Sequence, residues 1–399
     1  MTIGGAFMDM LVTQMERLSA DERLMIETIE QLAVARIAPR AAEIDRTNEY
    51  PWDITELLAD QGVLMMPFPA DYGGVGASEL ALACAVESIA RVSVTSSLIL
   101  AMQQLGALPI MLAGSEEQKR RYLPPLASGE WLVAYGLTEP GAGSDIAAIR
   151  THANRQGDHY VLTGGKQFIT NAGLAHVNVI FAVTDPERGA DGGISAFIVE
   201  SGTPGFAAGK IEDTMGIRGS RNGELLLDNC AVPAENRIGE EGDGYRLALA
   251  TFDRARVGVG AQAVGVAQGA LDYAVQYARQ RVQFGMPIAK HEGIQFLIAD
   301  LATQIDAARL LVHRAAKMLD EHAADIEITR ATSMAKLFAS DVAMRVTTDA
   351  VQLLGGYGYT REYPVERMMR DAKITQIYEG TTQMQRLAIA RAILEGPAA

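Results

Sequence analysis

Three short segments carry side chains whose types and spacing could do chemistry. The first is QIYEGTTQMQ at 376–385. Thr382 and Gln385 make a capping-box pattern, which predicts a helix start there and leaves Glu379 on the loop just ahead of it. A carboxylate in that place can simply complement the helix dipole, worth about 0.3–1 kcal/mol. It can also act as a general base, because Gly380 permits close approach of a ligand and a loop can aim the carboxylate into a cavity. The second segment is YGLTEPGAGSD at 135–145, where Gly141, Gly143 and Ser144 would expose backbone N–H groups to a phosphate. It is neither a dinucleotide fingerprint nor a P-loop, since Ile146 stands where GxGxxG needs its last glycine and Walker A spacing is absent. An ordinary Pro-Gly turn is the alternative. The third is RQRVQFGMP at 279–287. Gly285 suits a helix C′ position with Pro287 just beyond, and the arginines would then offset the helix dipole. The chemical alternative is that Arg281 pairs with a pyrophosphate while Phe284 stacks on a flat ring.

The elements that must position these segments show three textures. From about Asp21 to Leu126 the pattern is helical, with an acidic first turn at Asp21 and Glu22 and breaks at Pro51, Pro67, Pro69 and Gly73-Gly74. From about Trp131 to Arg237, Val177, Val179, Phe181 and Val183 alternate, and turn clusters at Gly192-Gly193 and Thr203-Pro204-Gly205 bound short apolar runs, so strands are expected. Gly164-Gly165 between HYVLT and KQFIT predicts a two-residue hairpin turn. Beyond Gly242 helices return. Phe252, Val259, Val266 and Tyr273 recur every seven residues with Leu249 on the same face. Ile294, Ile298, Leu301, Ile305, Ala308 and Val312 make a second apolar stripe. The expected fold is mainly α with a central β-domain: a helical domain over 1–130, a β-domain over 131–240 and a helical bundle over 241–399.

Composition narrows the partners. With 35 Lys+Arg against 49 Asp+Glu the net charge is -14, a field that repels nucleic-acid backbones. Local arginines or a helix N-terminus can still hold a phosphorylated small molecule, because a distant field is screened within about 10 Å. The two cysteines, Cys84 and Cys230, form no CxxC, and the six histidines include no HExxH, so no metal site is expected and a reducing cytoplasmic setting fits. Segment 1–24 lacks a leader pattern, and no run of about 18 uninterrupted apolar residues suggests a membrane span.

GLTEPGAGSD, RQRVQFG, QLLGGYGY and IYEGTTQMQR, in this order and spacing, resemble the acyl-CoA dehydrogenase family, and the likeness runs from about Asp21 to Arg391. The resemblance implies a β-barrel-like or sandwich middle domain, a C-terminal four-helix bundle and FAD between them. Tyr135, Leu137, Thr138, Gly143 and Ser144 match residues contacting FAD, and Phe168, Ile169 and Thr170 match contacts at the isoalloxazine. Arg281, Gln283, Phe284, Gln352, Gly355 and Gly356 match residues that reach a neighbouring subunit's FAD, which implies a homotetramer built as a dimer of dimers. Thr381 and Gln383 match flavin contacts beside Glu379. For the CoA substrate the matching residues are Ser144, Asp253 and Arg256, the last expected at the nucleotide end, with Tyr378 and Gly380 flanking the base.

On this resemblance Glu379 removes the α-proton of an acyl thioester while the flavin accepts a hydride from the β-carbon on the opposite face. Other members carry the base at the position of Ala255, so Glu379 with Ala255 resembles the short-chain, medium-chain and glutaryl types. Electrons are expected to pass to an electron-transfer flavoprotein, in fatty acid metabolism by β-oxidation. Two departures stand out: Phe168 where many members have Trp, and Arg221-Asn222 after Gly219-Ser220, a cation expected to solvate a loop. The competing readings are a decarboxylating glutaryl-type enzyme, an oxygen-using oxidase or monooxygenase on the same scaffold, and a non-catalytic binding protein that never takes up FAD.

Overall fold

The computed structural model describes residues 18–395; segment 1–24, read above for a leader, lies mostly outside them. Helix α1 (Ala20–Leu32) starts from a capping box in which Ser19 and Glu22 satisfy each other's backbone N–H groups. Then come α2 (Ala41–Thr47), α3 (Trp52–Asp60), α4 (Glu79–Ala90), α5 (Val94–Ala113) and α6 (Glu116–Ala127). Helix α5 is long and apolar enough to cross a membrane by length and composition, yet 78% of its apolar window is buried within the protein. Its polar exception shows what it is for. Gln103 donates to the carbonyls of Leu126 (2.8 Å) and Trp131 (3.0 Å) and accepts the Val133 N–H (3.3 Å), which staples α5 to the first strand.

That strand is β1 (Val133–Gly136), followed by β2 (His152–Gln156), β3 (His159–Thr170), β4 (Val177–Val183), β5 (Ile194–Glu200), β6 (Phe206–Ile211), β7 (Asn222–Pro233) and β8 (Arg237–Ile238). They form one sheet in the order β6-β7-β3-β2-β4-β5-β8, with β1 parallel on β4. The alternation expected in β4 divides two cores. Val177, Val179 and Phe181 join the helical core, whereas Ile180 and Ala182 face Tyr160, Phe197, Leu225 and Val232 in a core of the sheet's own. Both faces of β4 and β5 are therefore buried, whereas β2, β6 and β7 each keep an exposed face, and the hydrogen-bonded path does not close.

Gly164-Gly165 is not a hairpin. Strand β3 runs straight through it, paired to β7, with a register shift between Leu162 and Gly164. The glycine is needed for proximity: at φ 149° a Cβ on Gly164 would lie 2.5 Å from Thr151 Oγ1. A glycine pair marks a close approach as readily as a turn, and the tertiary contact decided.

The C-terminal part comprises α7 (Gly244–Gln280), a hairpin of β9 (Val282–Gln283) and β10 (Met286–Pro287), α8 (Glu292–Asp320), α9 (Asp325–Leu354), α10 (Pro364–Ile374) and α11 (Thr382–Glu395). Helices α7, α8, α9 and α11 make the bundle, and α7 also packs on α4 and α5, tying the two helical parts together. Val259 and Val266 are fully buried, but Leu249 is 37% exposed. A heptad line drifts about 20° per seven residues on a straight helix, which leaves the start of the stripe at the margin of the buried face. Gly285 does not cap a helix: Phe284 (φ 52°) and Gly285 (φ 80°) form the two-residue turn joining β9 to β10.

Candidate active site

Glu379 sits where a chain reversal between α10 and α11 is forced into left-handed backbone, with φ 52° at Glu379 and φ 90° at Gly380. The helix behind it starts one residue earlier than its capping pattern suggests. Thr381, not Thr382, is the cap, its Oγ1 accepting the Met384 N–H at 3.3 Å. Gln385, expected to close that box, is instead fully buried and donates its amide to the carbonyls of Gly380 (2.8 Å) and Glu379 (3.2 Å). Lys336 from α9 adds a bond to the Gly380 carbonyl at 2.7 Å. The loop carbonyls are thus drawn inward.

The carboxylate they position has one oxygen, Oε2, that is buried and has no hydrogen-bond partner among the described residues. Burial raises the Glu379 carboxyl to about 7, against the opposing pull of Lys336 and Arg256. The hydroxyls of Tyr135 and Tyr378 lie close enough to feel this charge, and burial first, then Glu379, push both well above the ordinary phenol range. Tyr135 Oη is likewise buried and unpartnered. A buried unpaired polar atom is costly, so two of them, one on the carboxylate itself and one on nearby Tyr135, mark a place meant for a ligand.

Open space lies on the helix that contacts this loop through Arg256 and Gln262. Gly258 is buried in α7, yet a Cβ built on it would meet no heavy atom within 4 Å. One turn along the same face, Gln262 accepts a hydrogen bond from Tyr378 Oη and donates to Ser97 Oγ at 3.1 Å. Ala255, the other position at which a base was considered, lies on this face too and carries no acid.

Arg256, expected at the nucleotide end of CoA, has its contacts within the protein. Only 8% exposed, it pairs with Asp253 at 2.6 Å and lies 3.5 Å from the Glu379 carbonyl and 3.5 Å from Ser333 Oγ. Asp253 is held in turn by Thr329 Oγ1 at 2.7 Å. Both face inward, because a buried guanidinium needs all its partners from the protein.

The glycine-rich segment is a built turn. Glu139 and Ala142 exchange two backbone hydrogen bonds (3.0 and 3.1 Å) across Pro140-Gly141, leaving Gly143 and Ser144 exposed with nothing near Gly143. Its anchor went unnoticed in the sequence: the buried carboxylate of Glu139 accepts the N–H groups of Arg150 (2.6 Å) and Thr151 (2.9 Å) and pairs with fully buried Lys166 at 2.7 Å. Leu137 and Ile169 are core residues, so what they can offer a cofactor is main chain; Thr138 is half-buried. A register shift between Lys166 and Ile169 turns Phe168 outward at φ 59°, leaving it 61% exposed, while Asn222 donates to the Phe168 carbonyl (3.0 Å) and reaches Thr170 Oγ1 (3.5 Å).

Most of the remaining expected residues gather where the ends of α7 and α9 meet. The Arg281 guanidinium lies 5.4 Å above the Tyr357 ring, which brings it beside Gly355 and Gly356, both with open space at Cβ, and near the exposed Gln352. Gln283 is exposed and Phe284 is 92% exposed. Among the described residues it is the most exposed of the large apolar side chains. Thr381 is half-buried and Gln383 exposed at the start of α11. Exposed glycines, a projecting aromatic and an arginine suit a pyrophosphate and a flat ring, and Phe168 with the orphaned Tyr135 hydroxyl suits the other end of the same group. The residues present therefore fit FAD.

Comparison with known proteins gives the same direction. Residues 19–130, 134–230 and 242–394 match the N-terminal, middle and C-terminal domains of acyl-CoA dehydrogenase, respectively. The chain is 50% identical over 381 residues to the cyclohex-1-ene-1-carbonyl-CoA dehydrogenase of Geobacter metallireducens, covering 95% of this chain and 100% of that one. Its fold superposes on butyryl-CoA dehydrogenase of Megasphaera elsdenii with TM-score 0.91 at 45% identity, covering 95% of this chain and 99% of that chain. It also superposes, with TM-score 0.92, 46% identity and coverages of 95% and 99%, on a chain solved in work on the electron transferring flavoprotein of Acidaminococcus fermentans and flavin-based electron bifurcation. With matches across all three domains and half its residues identical to a full-length relative, the chain belongs to the acyl-CoA dehydrogenase family.

Proposed function

We propose that this protein binds FAD and oxidises a short-to-medium acyl-CoA to its trans-2-enoyl-CoA, with Glu379 as the base. The observation that carries the reading is the Glu379 Oε2, buried and unpartnered on a loop that α7 contacts through Arg256 and Gln262, on either side of the open space at Gly258. When bound, FAD supplies the acceptor for the β-hydride and holds the two electrons for an electron-transfer flavoprotein. The chain supplies position. Glu379 receives the α-proton at its carboxylate, and its backbone N–H is the protein's donor to the thioester oxygen as negative charge grows there. Tyr135 and Tyr378, kept neutral by burial, wall the site and exclude water. Tyr135, Leu137, Thr138, Gly143, Ser144, Phe168, Ile169, Thr170, Thr381 and Gln383 would hold FAD on one protomer. Arg281, Gln283, Phe284, Gln352, Gly355 and Gly356 would meet the FAD of a second, in a cytoplasmic homotetramer serving fatty acid β-oxidation. The bareness of Phe284, and of Tyr359 at 87%, supports a covering subunit.

Anaerobic mixing of the flavin-loaded protein with a series of acyl-CoAs tests this directly, with flavin bleaching expected for short-to-medium chains. Absence of bleaching by any thioester would remove the dehydrogenase reading, and rapid reoxidation by air with peroxide release would replace the electron-transfer flavoprotein by oxygen.

Two expectations follow from the geometry. Because the Glu379 carboxyl is raised to about 7, the ionised base is scarce in acid. Then kcat/KM should rise about tenfold per pH unit up to about 7 and level off above it; a profile flat from pH 5.5 to 8.5 would contradict this. The second concerns chain length. Gln262, stapled between Tyr378 and Ser97, stands one helical turn from the open space at Gly258. Gln262→Gly should extend the accepted chain by a few carbons, each extra methylene recovering about 0.8 kcal/mol. An unchanged chain-length series would show that the floor lies elsewhere.

A further inference from the structure

Lys336 lies in the middle of α9, where a lysine would ordinarily face water, and it is 0% exposed. The structure gives its ammonium one hydrogen bond, 2.7 Å to the carbonyl of Gly380, the residue after the base. Gln385 donates to the same oxygen at 2.8 Å. Glu379 and Gly380 hold left-handed backbone that a glutamate seldom adopts, so the loop keeps its shape only while its carbonyls are held. A neutral donor could do the holding; a buried cation costs desolvation that a neutral group avoids.

We propose that Lys336 is a positioning residue for the proton abstraction: it pins the Gly380 carbonyl, so fixing the Glu379 carboxylate and N–H, and keeps a positive charge beneath the base. The proposal rests on the reading of Glu379 as the base. Its physical sense is charge balance across the reaction. Before the proton is taken, Lys336 favours the ionised base over the protonated one. Burial lowers the lysine to about 8, with the Glu379 charge opposing, so the cation persists at neutral pH. The other charged or titratable groups facing Glu379 are Arg256 and, through it, Asp253 from α7, Tyr135 from β1 and Tyr378 on the loop, while Asp341 of α9 faces Lys336. Of the two cations, Lys336 is the one bonded to the loop at 2.7 Å, whereas Arg256 approaches it only at 3.5 Å.

The test compares flavin-loaded parent, Lys336→Gln, Lys336→Met and Lys336→Arg by anaerobic stopped-flow bleaching with a short acyl-CoA between pH 5.5 and 9. Lys336→Gln removes the charge and keeps a donor, and its bleaching midpoint should move up by about 1 pH unit, the low end for losing a nearby opposite charge. Lys336→Met removes both, and should also lower the plateau rate by about 10²-fold, the scale of a small misplacement of a reacting group. Lys336→Arg should return the midpoint towards that of the parent. A parent that bleaches while both neutral variants keep its midpoint and plateau overturns this proposal alone; a parent that no acyl-CoA bleaches removes the underlying function instead. Failure of both neutral variants to retain flavin would assign Lys336 to folding and overturn the proposal too.

Discussion

Glu379→Gln should retain FAD and bind acyl-CoA, yet lose bleaching by about 10²–10⁴-fold, the contribution expected of a positioned general base. The substitution is close to isosteric. It keeps the backbone N–H, the left-handed φ 52° and the carbonyl bonds from Gln385, so whatever those groups do for the thioester oxygen survives. What disappears is proton affinity, because an amide cannot accept the α-proton at any relevant pH. The pH dependence should go with it: the rise through about 7 belongs to the Glu379 carboxyl, and the residual rate of the variant should show none. Ala255, on the neighbouring helix face, offers no second carboxylate to take over. Binding is read separately by the spectral shift of the flavin on adding a thioester that cannot be oxidised. Near-parental bleaching in a variant that binds would remove Glu379 from the mechanism, and loss of binding as well would make it a structural residue.

How much of this was legible in the sequence follows from the range of the interactions involved. The three textures, the alternation in β4 and the buried stripes of α7 and α8 are local patterns, written in neighbours two to seven residues apart. The segments around Glu379, Gly143 and Arg281 were also visible, because turn chemistry and acid or basic side chains crowd into ten residues. Long-range contacts were not. Gly164-Gly165 has the composition of a turn, and only the approach of Thr151 shows that it lies inside a strand. Gln385 sits at a capping position, and only the fold turns its amide back onto the loop. Lys336 and Gln262 sit within helices whose periodicity says which face is buried and nothing about what meets it there. Glu139 and Lys166 are 27 residues apart, and a buried pair at that separation leaves no local mark. The family resemblance bridged part of this gap, since it carries the tertiary arrangement with it. It placed Arg256 at the nucleotide end of CoA, and the long-range contacts of the side chain with Asp253 and the Glu379 carbonyl were not legible in it.

Arg256→Leu is where that difference can be measured. The guanidinium is 8% exposed and joins Asp253 to the Glu379 carbonyl, so its loss strands a half-buried carboxylate whose remaining hydrogen bond is from Thr329. Breaking a pair with one buried partner leaves the exposed one partly solvated, so the cost falls below the about 3–5 kcal/mol of a fully buried pair, and Tm should fall by a few degrees. Arg256→Lys should not restore the parent, because an ammonium cannot spread donors over Asp253, Ser333 and the loop carbonyl as a planar fork does. The kinetic consequence separates two roles. A clamp on the nucleotide end would make the defect of Arg256→Leu vanish with a truncated acyl-pantetheine thioester, since parent and variant would then both lack the contact. A support beneath the base would cost about 10²-fold in bleaching with either thioester. The structure places Arg256 under the loop, and the second outcome is expected. Parental Tm with a defect confined to the full CoA ester would return Arg256 to the nucleotide and leave Lys336 and Gln385 as the holders of the catalytic loop.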